Sequence, residues 1–447
     1  MEISKNIAAR WARELGMADT RLLSNDDNAP NGFHRLMLNG SEGNFGFSVV
    51  EAPLSNGTPQ SWAWSSDVSS YVEVRADVVT VAHWDARGSS QYDRSAVEAN
   101  LDRFYVRVLS SKPRVLASVA SLSSDILRRL ISAASTTDTA TALFAFLYLF
   151  AEWREHTIGT ASTRLAKKYG LQRFDDPEVQ KLAKAYYGHF HNLLDKPTGI
   201  GSALTTLPTL VLRHASPIVF QQAHMALEQR GDLDLFMAAP AKLGKGTGTG
   251  AHFTPPGIAR SVVEQAIAAF GSELPDRLTI LDPACGSGAF LLEALRSLAD
   301  LNFSGHVSVV GYDISDNSIP LAQLALQIAR DEWPGGSDKV SINVQKRDAL
   351  NSEEWIPADF IVMNPPFAPL VELNSEMRTQ AQAWLGRSVS GRPDISMAFV
   401  ERAVRSVKER GVIGSLLPTS AFRLVSAERW RRSLAERVSM RCLASLG

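Results

Sequence analysis

The 447-residue chain holds 46 basic and 47 acidic residues, a formal charge of −1, and 45% of it is hydrophobic. That balance fits a globular chain with room for two or three domains and excludes a uniformly basic nucleic-acid binder, so that any nucleic-acid contact would have to come from local patches or from a partner. Two cysteines, Cys285 and Cys442, are too few for a disulfide framework or a zinc site.

From Met1 to about Ser121 the pattern predicts a small α+β region. It comprises a short opening helix, strand-like alternation in Tyr71–Arg75 and Val78–Val81, and an amphipathic helix over Val97–Leu109. Glu73 and Arg75 loosely resemble the acid-x-lysine pair of a nuclease. Arginine stands in the lysine position, however, and no partner acid for a metal stands out, so the role of residues 1–121 is not legible. Asp85 and Asp93 read as loop caps.

Residues 122–241 read as a helical domain. The run Leu143–Ala151 is about half the length that spans a bilayer and continues into Glu152-Trp153-Arg154-Glu155, which predicts a buried helix. A second helix is expected over Asp176–Asp195, with Val179, Leu182, Ala185, Tyr186, Leu193 and Leu194 apolar and Lys181 and Lys184 on a solvated face. Charges alternate early and no cleavable apolar leader is seen, so the chain is expected in the cytoplasm. The stretch Lys242–Gly250 is too rich in glycine for a regular element and reads as a linker, or a loop that orders over a ligand.

Residues 242–447 then alternate helix and strand, the pattern of a mostly parallel sheet covered on both faces. A buried strand, Leu278–Leu281, enters Asp282-Pro283-Ala284-Cys285-Gly286-Ser287-Gly288-Ala289-Phe290 and an apolar helix follows at once. Glycines at such a turn let a ligand approach bare backbone at a helix N-terminus. The spacing is neither the dinucleotide fingerprint nor a P-loop, and the carboxylate of Asp282 suits an ammonium-bearing ligand better than a phosphate. The next strand, His306–Tyr312, ends in Asp313, where an acid can accept from both hydroxyls of a ribose. The third, Val340–Val344, leads to Arg347-Asp348-Ala349-Leu350, where Asp348 is placed to accept from a ligand amine.

The fourth strand, Ala358–Met363, opens into Asn364-Pro365-Pro366-Phe367. An aromatic amine is a poor nucleophile because its lone pair is delocalised into the ring. Acceptors on its two N–H groups, here the Asn364 side-chain oxygen and the Pro365 carbonyl, favour a pyramidal nitrogen and stabilise charge growing on it. Phe367 would stack on the base, and two prolines stiffen the loop.

These residues resemble the gamma-class DNA adenine-N6 methyltransferases, which use S-adenosylmethionine. Asp282–Gly288 matches the family's motif I and Asn364–Phe367 its motif IV. Gly250–Pro256, ahead of a helix beginning near Ile258, resembles motif X. Motif X precedes motif I, and too few residues separate motifs I and IV for a recognition domain, as in that class. The resemblance covers roughly residues 245–447 and implies a Rossmann-like methyltransferase sheet.

It further implies that Phe253, Thr254, Pro255, Asp282, Ala284, Gly286, Gly288, Phe290, Asp313, Ile314, Asp348, Ala349 and Asn364 hold the cofactor, and that Asn364, Pro365, Pro366 and Phe367 grip an extruded adenine. Transfer would be direct, because motif IV lacks the cysteine that a cytosine-C5 enzyme needs. Double-stranded DNA is the expected partner, with a specificity, nuclease or other defence-system subunit beside it. Other planar amines, such as guanine N2 in RNA, cytosine N4 or a protein glutamine, use related loops, and a non-catalytic scaffolding subunit is the non-enzymatic alternative.

After motif IV, helices are expected over Asp394–Arg410 and Ser426–Arg437 and strands over Gly411–Leu417 and Met440–Leu446. The family adds one more antiparallel strand and a recognition domain. The resemblance therefore implies a shortened chain or one completed by another subunit. Arg423, Arg429, Arg431, Arg432 and Arg437 make the last helix basic, a solvated face or an edge for phosphates.

Overall fold

The computed structural model describes residues 2–21, 33–38, 45–49, 70–83, 89–110, 126–133, 139–155, 162–195, 254, 256–271, 273–331, 333–351, 354–386 and 393–443. The glycine-rich stretch 242–250, Asp85, Phe253, Pro255 and the last residues of the expected final strand lie outside them.

In the N-terminal region α1 (Glu2–Glu14) packs on a six-stranded sheet of β1 (Ala18–Arg21), β2 (Phe33–Leu38), β3 (Phe45–Val49), β4 (Ser70–Val74), β5 (Val78–His83) and β6 (Ser89–Asp93), paired in chain order. All neighbours are antiparallel except β3 and β4. Alternation sends Phe47, Val72, Val74, Val79 and Val81 into a core with Trp11 and Phe104. Asp93 caps α2 (Arg94–Ala99), its carboxylate accepting the Ala96 N–H at 2.9 Å.

The single helix expected over Val97–Leu109 is two, because Asn100 leaves helical geometry at φ −144°, and α3 (Leu101–Ser110) restarts after it. Asparagine competes for nearby backbone groups and favours such a cap. Glu73 is fully buried and bonds Arg75 at 2.6 Å. The pair is therefore an ion pair within the N-terminal sheet, and among the described residues no three His, Cys, Asp or Glu side chains group to hold a metal.

The helical part contains a helix over 126–133, α4 (Thr139–Arg154), α5 (Ser162–Tyr169) and α6 (Pro177–Asp195). Nearly every residue of α4 is buried, as its uninterrupted apolar run requires. No helix among the described residues is long and apolar enough to cross a membrane.

The C-terminal sheet holds β7 (Arg277–Asp282), β8 (His306–Asp313), β9 (Val340–Lys346), β10 (Ala358–Met363) and β11 (Val407–Ser415) in the order β11-β10-β7-β8-β9, all parallel. Strand β10, central and buried at every position, reads as an unbroken apolar run apart from Asp359. That carboxylate accepts the Thr279 N–H at 2.7 Å and the Lys408 ammonium at 2.8 Å, tying three strands at the end away from the site.

One face is covered by α7 (Pro256–Phe270), α8 (Ala289–Asp300) and α9 (Ser318–Asp331). The other is covered by α10 (Ser375–Leu385), α11 (Ile395–Ser406) and, beyond the short α12 (Thr419–Arg423), α13 (Glu428–Arg437). This is the expected α/β Rossmann-like sheet. Chain order reverses between β7 and β10, the kind of switch point outside whose carboxyl ends open α/β sheets bind ligands.

Two boundaries differ from expectation. Helix α11 stops at Ser406, not Arg410, because Val407 already pairs with Ala358, and β11 runs Val407–Ser415, not Gly411–Leu417. Residues 440–443 form no strand.

Candidate active site

Asp282 ends β7, Asp313 ends β8, Asp348 follows β9 by two residues and Asn364 follows β10 directly, so all four sit at the carboxyl edge of the sheet. Asp282 and Asn364 stand at the carboxyl ends of β7 and β10, the two strands that flank the switch point.

The turn after β7 is held by main-chain bonds. Cys285 N–H donates to the Tyr312 carbonyl at 2.9 Å and Gly288 N–H to the Cys285 carbonyl at 2.8 Å. Gly286 and Gly288 take φ of +51° and +87°, a region other residues enter at a cost, and a Cβ on Gly286 would meet nothing within 4 Å. The glycine thus presents bare backbone to open space at the start of α8, where unpaired N–H groups and the helix dipole favour a negative group.

Asp282 is 1% exposed and its Oδ1 accepts the Ala284 N–H at 3.0 Å. Burial pushes its carboxyl well above the usual range, and the neighbouring Asp313 adds to the rise. Asp313 accepts the Gly286 N–H at 2.9 Å through Oδ2 and the Ser315 N–H at 2.8 Å through Oδ1. Burial raises its pKa too, against the lowering by those hydrogen bonds. A carboxylate oxygen has two acceptor directions, so this anchoring is compatible with a further donor on each. Asp348 Oδ1 accepts the Leu350 N–H at 2.8 Å.

Ile314, just past Asp313, is 63% exposed, an apolar surface beside a carboxylate. Ala284 is half-buried in the turn. Phe290 and Ala349 are buried in the two cores flanking the sheet, so a ligand would meet their backbone, not their side chains.

The motif X and motif IV segments meet. Asn364 Nδ2 donates to Thr254 Oγ1 at 2.9 Å across 110 residues of sequence, and Thr254 is buried just ahead of α7. This bond assigns the nitrogen end of the carboxamide to the threonine. Sequence reading placed both residues in the site but missed their contact, since nothing in either motif reports the other. Pro365 is buried and Pro366 and Phe367 are half-buried, on a loop whose next residue, Ala368, accepts the Ile395 N–H at 2.9 Å.

The basic stretch near the C-terminus is largely committed within the fold. Arg431 donates to the Ala421 and Leu424 carbonyls, Arg432 pairs with Glu428 and Arg437 forks onto Glu401. The phosphate edge considered from sequence is thereby reduced to Arg423 and Arg429, both exposed.

The sequence of residues 235–447 matches the profile of the family described as N-6 DNA Methylase. This match, a little under half of the chain, makes that part similar to the N-6 DNA methylases. A curated relative, Type II methyltransferase M.VspI of Vibrio sp. (strain 343), is 28% identical over 190 residues, 41% of this chain. The chain spans 40% of that relative's length.

Among solved structures, a class I S-adenosylmethionine-dependent methyltransferase of Listeria monocytogenes is 17% identical, with 72% of this chain and 78% of the other covered and a TM-score of 0.44. The DrdV–DNA complex is 12% identical over 96% of this chain and 48% of the other, with a TM-score of 0.48.

The buried Asp282, the partly buried Asp313, a glycine turn bordering open space and a helix N-terminus thus lie together, a combination that can take a ligand carrying both charge signs.

Proposed function

We propose that the chain carries the catalytic part of a restriction-modification or phage-defence enzyme that methylates the exocyclic N6 amine of an adenine turned out of duplex DNA. The observation that carries this reading is the Asn364–Thr254 hydrogen bond at 2.9 Å, which fixes the nitrogen end of the motif IV carboxamide at the carboxyl end of β10. Asp282 would hold the ammonium group of S-adenosylmethionine, Asp313 its ribose and Asp348 its adenine, with Ile314 against the ring and the Gly286–Gly288 turn along the methionine part. Bound there, the cofactor supplies an electrophilic methyl group on a sulfonium.

Asn364 Oδ1 and the Pro365 carbonyl would accept the two N–H hydrogens of the target amine. That would draw the nitrogen toward pyramidal geometry and stabilise the positive charge it gains when the methyl group passes to it from the sulfonium, whose S–C bond breaks. The surplus proton would leave to water, since amide oxygens accept a hydrogen bond but are too weakly basic to take it. Phe367 would stack on the base while the proline pair keeps the loop from yielding.

Sequencing for modified adenine in genomic DNA from cells carrying the intact gene, no gene, or the Asn364→Ala variant tests this. The variant is expected to lose transfer by about 10²–10³-fold while its affinity for S-adenosylmethionine stays close to that of the parent. Asp313→Ala should weaken cofactor binding first. Equal methylation by the Asn364→Ala protein, or none by the intact one, would end the proposal.

A further inference from the structure

We infer that Arg402, on α11, is a positioning residue that sets how the chain distinguishes the base of its cofactor, by pinning the loop that carries Asp348. The inference rests on the reading of Asp348 given above.

The Arg402 guanidinium lies between the rings of Trp384 and Trp355, 4.3 and 4.9 Å from their centroids, and the residue is 2% exposed. It donates to the carbonyls of Ala349 and Asn351, the latter at 2.7 Å. The same tryptophans reach the same loop. Trp355 Nε1 donates to the Ala349 carbonyl at 2.8 Å and Trp384 Nε1 to the Leu350 carbonyl at 2.9 Å. Three consecutive carbonyls are thus gripped by side chains from outside the loop, and the Asp348 carboxylate closes it from within by accepting the Leu350 N–H.

Burying a guanidinium is costly, and an apolar residue would fill a slot between two tryptophans without that cost. What only a planar, multiply donating cation does is bond two carbonyls at fixed angles while stacking on both rings. Burial, with Arg347 nearby, brings the Arg402 pKa down to about 10, and Asp348 opposes that fall, so the group stays charged at neutral pH and its field reaches the carboxylate.

A rigidly held carboxylate accepts from an exocyclic amine and rejects a base with a carbonyl in that place, because two acceptors would then face each other. A loose one could turn away and tolerate either. The gripping residues therefore bear on selectivity, beyond keeping the fold together.

The experiment measures, by calorimetry on the full chain, dissociation constants for S-adenosylhomocysteine and S-inosylhomocysteine. The proteins are the parent, Arg402→Met, Arg402→Lys, Trp384→Phe and Asp348→Ala. The parent is expected to prefer the adenosyl compound, Arg402→Met to shrink that preference by about tenfold, and Arg402→Lys to restore part of it. A purely structural role would weaken both ligands alike and leave the ratio unchanged, which would overturn the inference. Should Arg402→Met not fold, Trp384→Phe decides. It keeps a ring but removes the donor to Leu350, so a narrowed ratio supports the inference and an unchanged one sinks it. If Asp348→Ala keeps the parent's ratio, the reading of Asp348 fails and takes this inference with it. If Asp348→Ala collapses the ratio while the Arg402 and Trp384 variants preserve it, only the role of Arg402 is lost.

Discussion

Asp282 carries a charge in a place that disfavours it. Its carboxyl is raised well above the ordinary range by burial and by Asp313. A group whose folded-state pKa exceeds its unfolded one contributes stability that is complete below the unfolded value and is lost as pH rises through the folded value. The ligand-free chain is therefore penalised at neutral pH. Asp282→Asn keeps an oxygen for the Ala284 N–H and removes the charge. Its Tm should exceed the parent's by about 2–4 °C at pH 8, with the gain shrinking toward pH 4, while affinity for S-adenosylmethionine falls. Thermal unfolding across that pH range checks the sign, and a lower Tm at pH 8 would contradict it. The three acids and Asn364 were legible as a site because each stands at the end of an apolar strand. Arg402 was not, because its acceptors are main-chain carbonyls about 50 residues away and carry no side-chain signal.

At the scale of elements, the junction between α11 and β11 shows where periodicity stops being informative. The segment Val404–Arg410 continues a helical pattern, but pairing with β10 claims Val407 onward. The strand then carries an irregularity opposite Ala358–Phe360, with Arg410 at φ +65°. Gly411 follows because a Cβ there would meet Val407 Cγ2 at 2.7 Å and the Asp359 and Lys408 carbonyl oxygens at 2.9 Å. Backbone oxygens cannot step aside, so Gly411→Ala is expected to cost about 1–3 kcal/mol in denaturant unfolding. Arg410→Gly relieves a left-handed residue and is expected to be neutral or stabilising. Reversed signs for the two would mean the bend is not where the strain lies.

At the scale of the whole molecule, α9 joins two parts of the chain. Leu326 faces the sheet while Leu321, Leu324 and Ile328 enter the helical core, and Lys168 bonds Asp331 at 3.2 Å at the rim. Tyr71 of β4 enters the same helical core, with Gly46 leaving room for its ring, so the N-terminal sheet is tied in as well. Burial of α9 on two faces predicts that Leu324→Ala costs about 2–5 kcal/mol and lowers the unfolding of helical and catalytic parts together. Protection measured by hydrogen exchange in both α4 and β8 would fall. A loss confined to α4 would show that the helical part is an independent passenger.

Composition and motif spacing alone determined the α/β class, the alternation of residues 256–437, the four strand-end polar groups and the resemblance to the N-6 DNA methylases, because each is written in short stretches of contiguous sequence. Tertiary structure decided the strand order that puts the switch point beside β7, the pairing of Thr254 with Asn364, the two-sided burial of α9, and the conversion of Glu73 and Arg75 into an ion pair. These depend on which distant segments meet, and a contact between residues 110 apart leaves no periodic trace in either partner.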